Sequence, residues 1–250
     1  MRIRVAHLYP EYLNIYADRG NIAVLTRRAE LRGHELAIEP VSISDSLGSG
    51  AYDLVYIGGG QDREQALVAP DLAAKGAAIR DLVAGGTALL AVCGGYQLLG
   101  RGYRGRDGSL MAGTGLFPHE TVAGERRMIG DVLLECELEP GVVRTVAGFE
   151  NHAGRTRLDP GAAPLGRVVA GFGNDGGSGY EGCRVERALG TYLHGPLLPR
   201  NPWLADLLLS WAIAHAGGTD AAPLGPLPDR LEGAAHDVAA GRARARGGRF

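Results

Sequence analysis

The chain has 250 residues, 45% of them hydrophobic and 22% charged, with a formal net charge of −2 and a pI of about 6.4. This is the composition of an ordinary globular protein with room for a sizeable core. It gives no global basic field for nucleic acid and no polybasic face for a membrane. Cysteines occur only at 93, 136 and 183, with no C-x-x-C pair or histidine cluster at metal spacing. Neither a disulfide framework nor a metal site is indicated, which suits a reducing, cytoplasmic location. The N-terminus lacks the apolar core of a signal peptide, and no apolar run is long enough to cross a bilayer.

In chain order, the alternation over 3–8 predicts a first strand, and Ile22, Leu25 and Ala29 on one face predict a helix over 20–32 ending before Gly33. Between them, Tyr9 to Asn21 is a connection rich in polar and aromatic side chains. It lies where open α/β sheets bind ligands, although Asp18 there is equally a plain helix cap. A second strand is expected over 35–41 and a third over 53–57, the latter running into Gly58-Gly59-Gly60-Gln61-Asp62. Three glycines after a strand leave backbone N–H groups unobstructed, able to hold an anionic oxygen, or else form a flexible turn. No Gly-Lys-Ser/Thr follows, so the loop is not a P-loop.

A helix over 63–84 leads to the apolar run 88–92, then Cys93-Gly94-Gly95-Tyr96-Gln97-Leu98-Leu99. The run reads as a doubly buried parallel strand, so Cys93 stands at a strand-to-helix turn, a position at which helix N-termini favour thiolates. The same pattern also fits a small buried residue in a tight turn. The βαβ rhythm implies a mostly parallel, right-handed sheet with helices on both faces, a flavodoxin-like α/β fold.

After Arg101 the texture becomes sheet-rich: 128–138 and 142–149 read as paired strands around Glu139-Pro140-Gly141. Phe149 to Thr156 reads as a polar, glycine-bearing loop, and Gly171 to Gly182 as an exposed mobile turn. A short strand from Ala188 delivers His194 to its carboxyl end, and 202–216 is an amphipathic helix with Asn201 as N-cap and Pro202 at its first position. Residues 1–216 are expected to form one domain and 217–250 a low-complexity, flexible tail.

If one sheet presents the ends of these strands together, Cys93, His194 and the N–H groups of Gly60 and Gly94 supply a nucleophile, a base and oxyanion donors. A lone strand-end histidine is, on the other hand, commonly structural.

Four segments carry a resemblance: Gly58-Gly59-Gly60-Gln61-Asp62, Cys93-Gly94-Gly95-Tyr96-Gln97, Glu150-Asn151-His152-Ala153-Gly154-Arg155-Thr156 and Tyr192-Leu193-His194-Gly195-Pro196. They resemble class I glutamine amidotransferases of the cobyric acid synthase (CobB/CobQ) type, and within these the glutaminase subunits of lipid II isoglutaminyl synthase, the GatD type. The opening from Leu8 to Asn21 and Arg127-Met128-Ile129-Gly130 are similar too, so the likeness spans about 3–216.

The resemblance implies hydrolysis of L-glutamine through a thioester on Cys93, with His194 as base and then acid, and Gly60 and Gly94 lining the oxyanion hole. It also implies glutamine contacts from Gln97, Asn151 and Gln61, and from Arg127, whose guanidinium fork suits a carboxylate. Ammonia would pass to a Mur-ligase-like synthetase subunit of the MurT type, forming a heterodimer. ATP and Mg²⁺ belong to that partner, since this chain has no Walker A pattern and no cofactor of its own is expected. There the α-carboxylate of D-glutamate in the peptidoglycan stem, activated as an acyl phosphate, would become D-isoglutamine.

One departure stands out. Many class I amidotransferases carry a glutamate two residues after the histidine, where this chain has Pro196. The orienting carboxylate is therefore distant in the chain, supplied by the partner, or dispensable. Two other readings remain: side-chain amidation in cobalamin-type synthesis, whose proteins commonly carry a nucleotide-binding domain upstream, and a silent binding module on the same fold.

Overall fold

The computed structural model describes residues 1–15, 19–48, 50 and 52–246. Tyr16 and Asp18 of the opening segment lie outside the described residues. The first half contains β1 (Arg2–Leu8), α1 (Arg19–Glu30), β2 (Glu35–Val41), β3 (Leu54–Ile57), α2 (Asp62–Ala74), α3 (Gly76–Ala84), β4 (Ala88–Val92) and α4 (Gly94–Leu99). The second contains β5 (Gly102–Arg104), β6 (Leu110–Ala112), β7 (His119–Glu139), β8 (Val142–Leu158), β9 (Gly166–Ala170), β10 (Tyr180–Glu181), β11 (Cys183–Val185), β12 (Ala188–Thr191), α5 (Pro202–Gly217) and α6 (Arg230–Arg246).

The central sheet has the order β11-β12-β4-β3-β1-β2 and is parallel except at β11. Its inner strands β3, β4 and β12 are buried at every position, as continuous apolar runs covered on both faces require. The register pairs Leu8 with Ile57 and Thr191 with Val92, so the carboxyl ends of these strands lie along one edge. That edge gathers Gly58 after β3, Cys93 after β4 and His194 shortly after β12.

The helix expected over 63–84 is two helices, α2 and α3, which meet at Lys75. The second half builds a second sheet, β10-β9-β7-β5-β6, with the long β8 paired to β7. β8 absorbs the stretch expected as a polar loop: Asn151 pairs with Ile129, His152 with Met128 and Gly154 with Ala123, across a bulge in β7 between Ala123 and Met128. Burial alternates along it, with Glu150, His152, Gly154 and Thr156 facing inward. Polar side chains on the buried face hide the strand from a hydrophobicity reading.

The glycine-rich 171–182 stretch is likewise a built element and not a mobile turn. The N–H groups of Phe172 and Gly173 donate to the Glu150 carboxylate at 2.6 and 2.9 Å. Asn174, 1% exposed, donates to the Gly182 carbonyl and receives the Gly182 N–H. Positive φ at 171, 173, 176, 179 and 182 explains the glycines: the chain folds back on itself in conformations that side chains disfavour.

Asn201 precedes α5 as expected but does not cap it with its side chain. Its Oδ1 accepts the Ala147 N–H and its Nδ2 donates to the carbonyls of Ala147 and Leu197, tying α5 to β8. The expected tail is corrected in its second half. Residues Arg230–Arg246 form α6, whose Ala239, Ala240 and Ala243 bury against Leu133, Ala147 and Ala170 of the second sheet. Alanine is a good helix former but carries little hydropathy contrast, so the pattern of a packed face is faint in the sequence. Among the described residues no helix is long and apolar enough to cross a membrane.

Candidate active site

Cys93 sits between β4 and α4 with φ 49° and ψ −105°, a backbone conformation that non-glycine residues rarely adopt and that costs roughly 1–3 kcal/mol. The strain is held by its N–H bond to Thr191 O at 2.7 Å and by the Gly95 N–H bond to Gly58 O at 3.1 Å. Both glycines after Cys93 are required by close approach. A side chain on Gly95 would stand 2.8 Å from Gly58 O, and one on Gly94 would stand 3.0 Å from the Gly60 nitrogen. Gly60 N–H and the first N–H groups of α4 are thus neighbours, and helix ends leave such donors without intrahelical partners.

Gly59 brings the other two groups together. A Cβ placed there would lie 2.8 Å from His194 Cε1 and 3.1 Å from Cys93 Cβ. The thiol-bearing and imidazole-bearing side chains therefore both flank the side-chain position of Gly59, a residue that leaves it empty. His194 is fully buried, and its main chain is fixed by N–H donation to Phe149 O at 2.8 Å.

Cys93 opens into a cleft of about 590 Å³ whose lining includes Gly60, Gln61, Gln97, Arg127 and Asn151. This is the size range of small-molecule sites, ~300–1,000 Å³. His194 lines a second cleft, on the α6 side, which also contains Asp131 and Arg200. The expected carboxylate partner of the imidazole is absent from the position of Pro196, and Asp131 is the carboxylate that shares this second cleft.

Within the first cleft the expected residues differ in what they can offer a ligand. Arg127 is aimed by Asn151, which accepts from its Nε through Oδ1 at 2.8 Å and from its Nη2 through the backbone carbonyl at 2.9 Å. Asn151 thus lines the cleft and also orients the guanidinium. Gln97 is 3% exposed, and its Nε2 donates to the Tyr192 hydroxyl at 3.1 Å. Gln61 stands just before α2 and is exposed at the rim.

Sequence reasoning missed Asp62, Gln65, Tyr103 and His152, all of which line the same cleft. Gln65 donates to Gly60 O at 3.1 Å and so steadies the glycine loop. The His152 ring stacks on Tyr192 at 3.5 Å between centroids and 5° between planes, and its Nδ1 bonds Gly154 O at 2.9 Å. A carbonyl only accepts, so Nδ1 carries the proton. Burial holds the His152 pKa below the ordinary histidine value, keeping the ring neutral. Only the Glu150-to-Thr156 segment hinted at His152, and nothing in the sequence singled out Tyr103.

A strained cysteine after a parallel strand, a buried histidine against it and a glycine loop of N–H donors together make an acyl-transfer inventory. Residues 4–202 match the model of the CobB/CobQ-like glutamine amidotransferase domain. The chain belongs to the CobB/CobQ-like glutamine amidotransferase family.

This amidotransferase is accordingly a glutamine-hydrolysing enzyme. It is 39% identical over 220 residues to the GatD subunit of the glutamine-hydrolysing lipid II isoglutaminyl synthase of Streptococcus pneumoniae, covering 88% of this chain and 84% of that one. It is 36% identical over 215 residues to the GatD subunit of Staphylococcus aureus, covering 86% of each. Among solved structures it superposes on a chain of PurLQS from Thermotoga maritima with a TM-score of 0.56 at 17% identity, over 85% of this chain and 96% of that one. That likeness concerns the fold alone.

Proposed function

We propose that this amidotransferase is the glutaminase subunit of a lipid II isoglutaminyl synthase. Cys93 Sγ attacks the γ-carboxamide carbon of L-glutamine, and the oxyanion of the tetrahedral adduct is held by the N–H groups of Gly60 and Gly94. His194 takes the thiol proton and passes it to the departing nitrogen, leaving a γ-glutamyl thioester and free ammonia. Water, deprotonated by the same imidazole, then releases glutamate. Arg127, aimed by Asn151, receives the substrate α-carboxylate, with Gln97 and Gln61 completing the cleft. The observation that carries this reading is the convergence of Cys93 and His194 on the empty side-chain position of Gly59.

The ammonia is used elsewhere. Two relatives of this length bear the name of a lipid II isoglutaminyl synthase subunit, which supports a role beside a second, Mur-ligase-like, ATP-using subunit of the MurT type. That subunit would amidate the D-glutamate α-carboxylate of the stem peptide, and it would hold the ATP and Mg²⁺.

Glutamine turnover by the chain alone and with its co-purifying partner tests both halves. The expected result is a Mur-ligase-like companion that raises turnover, with Cys93→Ala inactive in either state. Full turnover by Cys93→Ala would overturn the mechanism, and a companion of another class would overturn the pathway.

A further inference from the structure

Resting on the glutaminase reading, a second question is how the cleft distinguishes free glutamine from a glutamine side chain whose α-amine is acylated, as in any peptide. Free glutamine is a zwitterion, so a carboxylate placed for its ammonium, beside a cation for its carboxylate, favours it over the acylated form. Arg127 supplies the cation. Among the described residues that line the Cys93 cleft, Asp62 is the one carboxylate.

Asp62 is the first residue of α2 and is exposed at the rim of the cleft. An acidic side chain at a helix start stabilises that helix through the macrodipole, and by position alone Asp62 would need no other role. Tyr103 gives the independent observation. It is 1% exposed on β5, and its hydroxyl meets Asp62 Oδ2 at 3.4 Å. The same phenol lies within electrostatic reach of Arg127 and Cys93. Burial first, and then Asp62 itself, push its pKa up to about 12, so it remains a hydroxyl that donates to the carboxylate. Tyr103 therefore marks a point around which an anion, a cation and the reacting thiol are gathered. None of the ion pairs among the described residues includes Asp62, so its charge is free to meet a ligand.

We propose that Asp62, oriented by the Tyr103 hydroxyl, receives the α-ammonium of glutamine and makes the cleft selective for the free amino acid. The zwitterion lies across the rim with its ammonium toward Asp62 and its carboxylate toward Arg127. The side-chain amide then reaches down to Cys93. An N-acylated glutamine has no positive charge to offer and leaves the Asp62 carboxylate desolvated beside a neutral amide, which disfavours it.

The test measures alkylation of Cys93 by diazo-oxo-norleucine, by its N-acetyl derivative and by iodoacetamide, with the adducts located by mass spectrometry. In the diazoketone reaction the thiol proton goes to the diazo carbon, sulfur bonds to that carbon and N₂ leaves. Iodoacetamide carries neither α-group, so it reports the thiol alone. Loss of one charge-assisted contact corresponds to roughly ten- to a hundredfold.

The wild-type chain is expected to prefer the free amine over the N-acetyl form by about that factor. Asp62→Asn should abolish the preference while leaving the iodoacetamide rate unchanged, and Asp62→Glu should restore part of it. An undiminished preference in Asp62→Asn overturns the assignment. So does a loss shared equally by all three reagents, because that would mean α2 and the thiol environment had been disturbed. If iodoacetamide alkylates the wild-type Cys93 but diazo-oxo-norleucine does not, the glutaminase reading falls first, and this inference with it.

Discussion

Asn151 grips Arg127 with two groups of one residue, its side-chain Oδ1 on Nε at 2.8 Å and its backbone carbonyl on Nη2 at 2.9 Å. A guanidinium has five N–H donors in a fixed fork, so two of them bonded to Asn151 leave the remaining edge directed into the cleft that both residues line.

This pairing separates two effects on kinetics. Arg127→Ala removes the partner of the substrate carboxylate, a charged hydrogen bond worth about 1.5–3 kcal/mol, and should raise KM for glutamine by roughly ten- to a hundredfold. Asn151→Ala leaves the charge and the bond to the backbone carbonyl but removes the one to Oδ1, loosening the guanidinium, so its KM should rise less, by about severalfold. Steady-state glutaminase assays on both variants check the ranking. An Asn151→Ala defect larger than that of Arg127→Ala would mean that Asn151 itself binds the substrate.

Gly59 gives a sharper result. Its Cβ would press 2.8 Å from His194 Cε1 and 3.1 Å from Cys93 Cβ, distances that force one of the two side chains to move. An error of about 1 Å in a reacting geometry costs on the order of 10² in rate. Gly59→Ala should therefore lose about that factor in kcat, with circular dichroism unchanged and iodoacetamide still able to reach Cys93. Wild-type kcat in this variant would show that the thiol and imidazole do not act as a pair.

The parallel sheet and the place of Cys93 are legible in the sequence because apolar runs such as Ala88–Val92 and Leu54–Ile57 are buried on both faces and end in glycines or in Cys93-Gly94-Gly95. The carboxyl-end rule for parallel sheets then brings Cys93, the glycine loop and His194 to one edge. The rest is hidden for a physical reason. β8 carries Glu150, His152 and Thr156 on its buried face, where their polar groups are met by Phe172, Gly154 and Tyr192. A buried face built from satisfied polar groups has no hydrophobic period, so it reads as a loop. α6 hides differently, since alanines and arginines give its packed face almost no contrast. Tyr103 sits on a three-residue strand, and only the fold brings it to Asp62.

Glu181 makes the fold sensitive to pH. It is fully buried, accepting the Tyr192 N–H at 2.6 Å and the Thr191 hydroxyl at 3.0 Å just before His194. Burial raises its pKa from 4.5 to about 8, outweighing these hydrogen bonds, which lower it. A folded pKa above the unfolded one means stability that is fully present below about pH 4.5 and lost progressively as the pH rises through about 8. Glu181→Gln keeps the hydrogen-bond acceptor but cannot ionise. The variant should lose less stability than the wild type between pH 5 and pH 8, the difference being on the order of a few kcal/mol. Urea denaturation at the two pH values measures it, and equal losses in both proteins would place the titration elsewhere.

The C-terminal segment is anchored by charge as well as by its alanines. Arg28 of α1, with a side chain only 5% exposed, donates to Asp206 of α5 at 2.6 and 2.7 Å and to Asp229, just before α6, at 2.6 and 3.0 Å. Arg32 adds a bond to the same Asp206 at 2.8 Å. Two carboxylates around one nearly buried guanidinium mean that losing one leaves the cation still partnered, so Asp229→Ala should cost about 1–2 kcal/mol. Asp206→Ala strips contacts from both arginines and should cost more, about 3 kcal/mol or above. At about 2–4 °C per kcal/mol for a chain of this size, the Tm values should fall in the order wild type, Asp229→Ala, Asp206→Ala. Asp229→Ala should in addition make the segment from 218 onward the first site of limited proteolysis, because α6 then keeps its alanine contacts with Leu133, Ala147 and Ala170 and the hydrogen bonds of His236 to Thr145 and the Arg200 carbonyl but loses the charged tie at its start. If Asp229→Ala cleaves no faster than wild type in that segment, the alanine face and the His236 hydrogen bonds hold α6 in place and the Arg28 pair serves only to join α1 to α5.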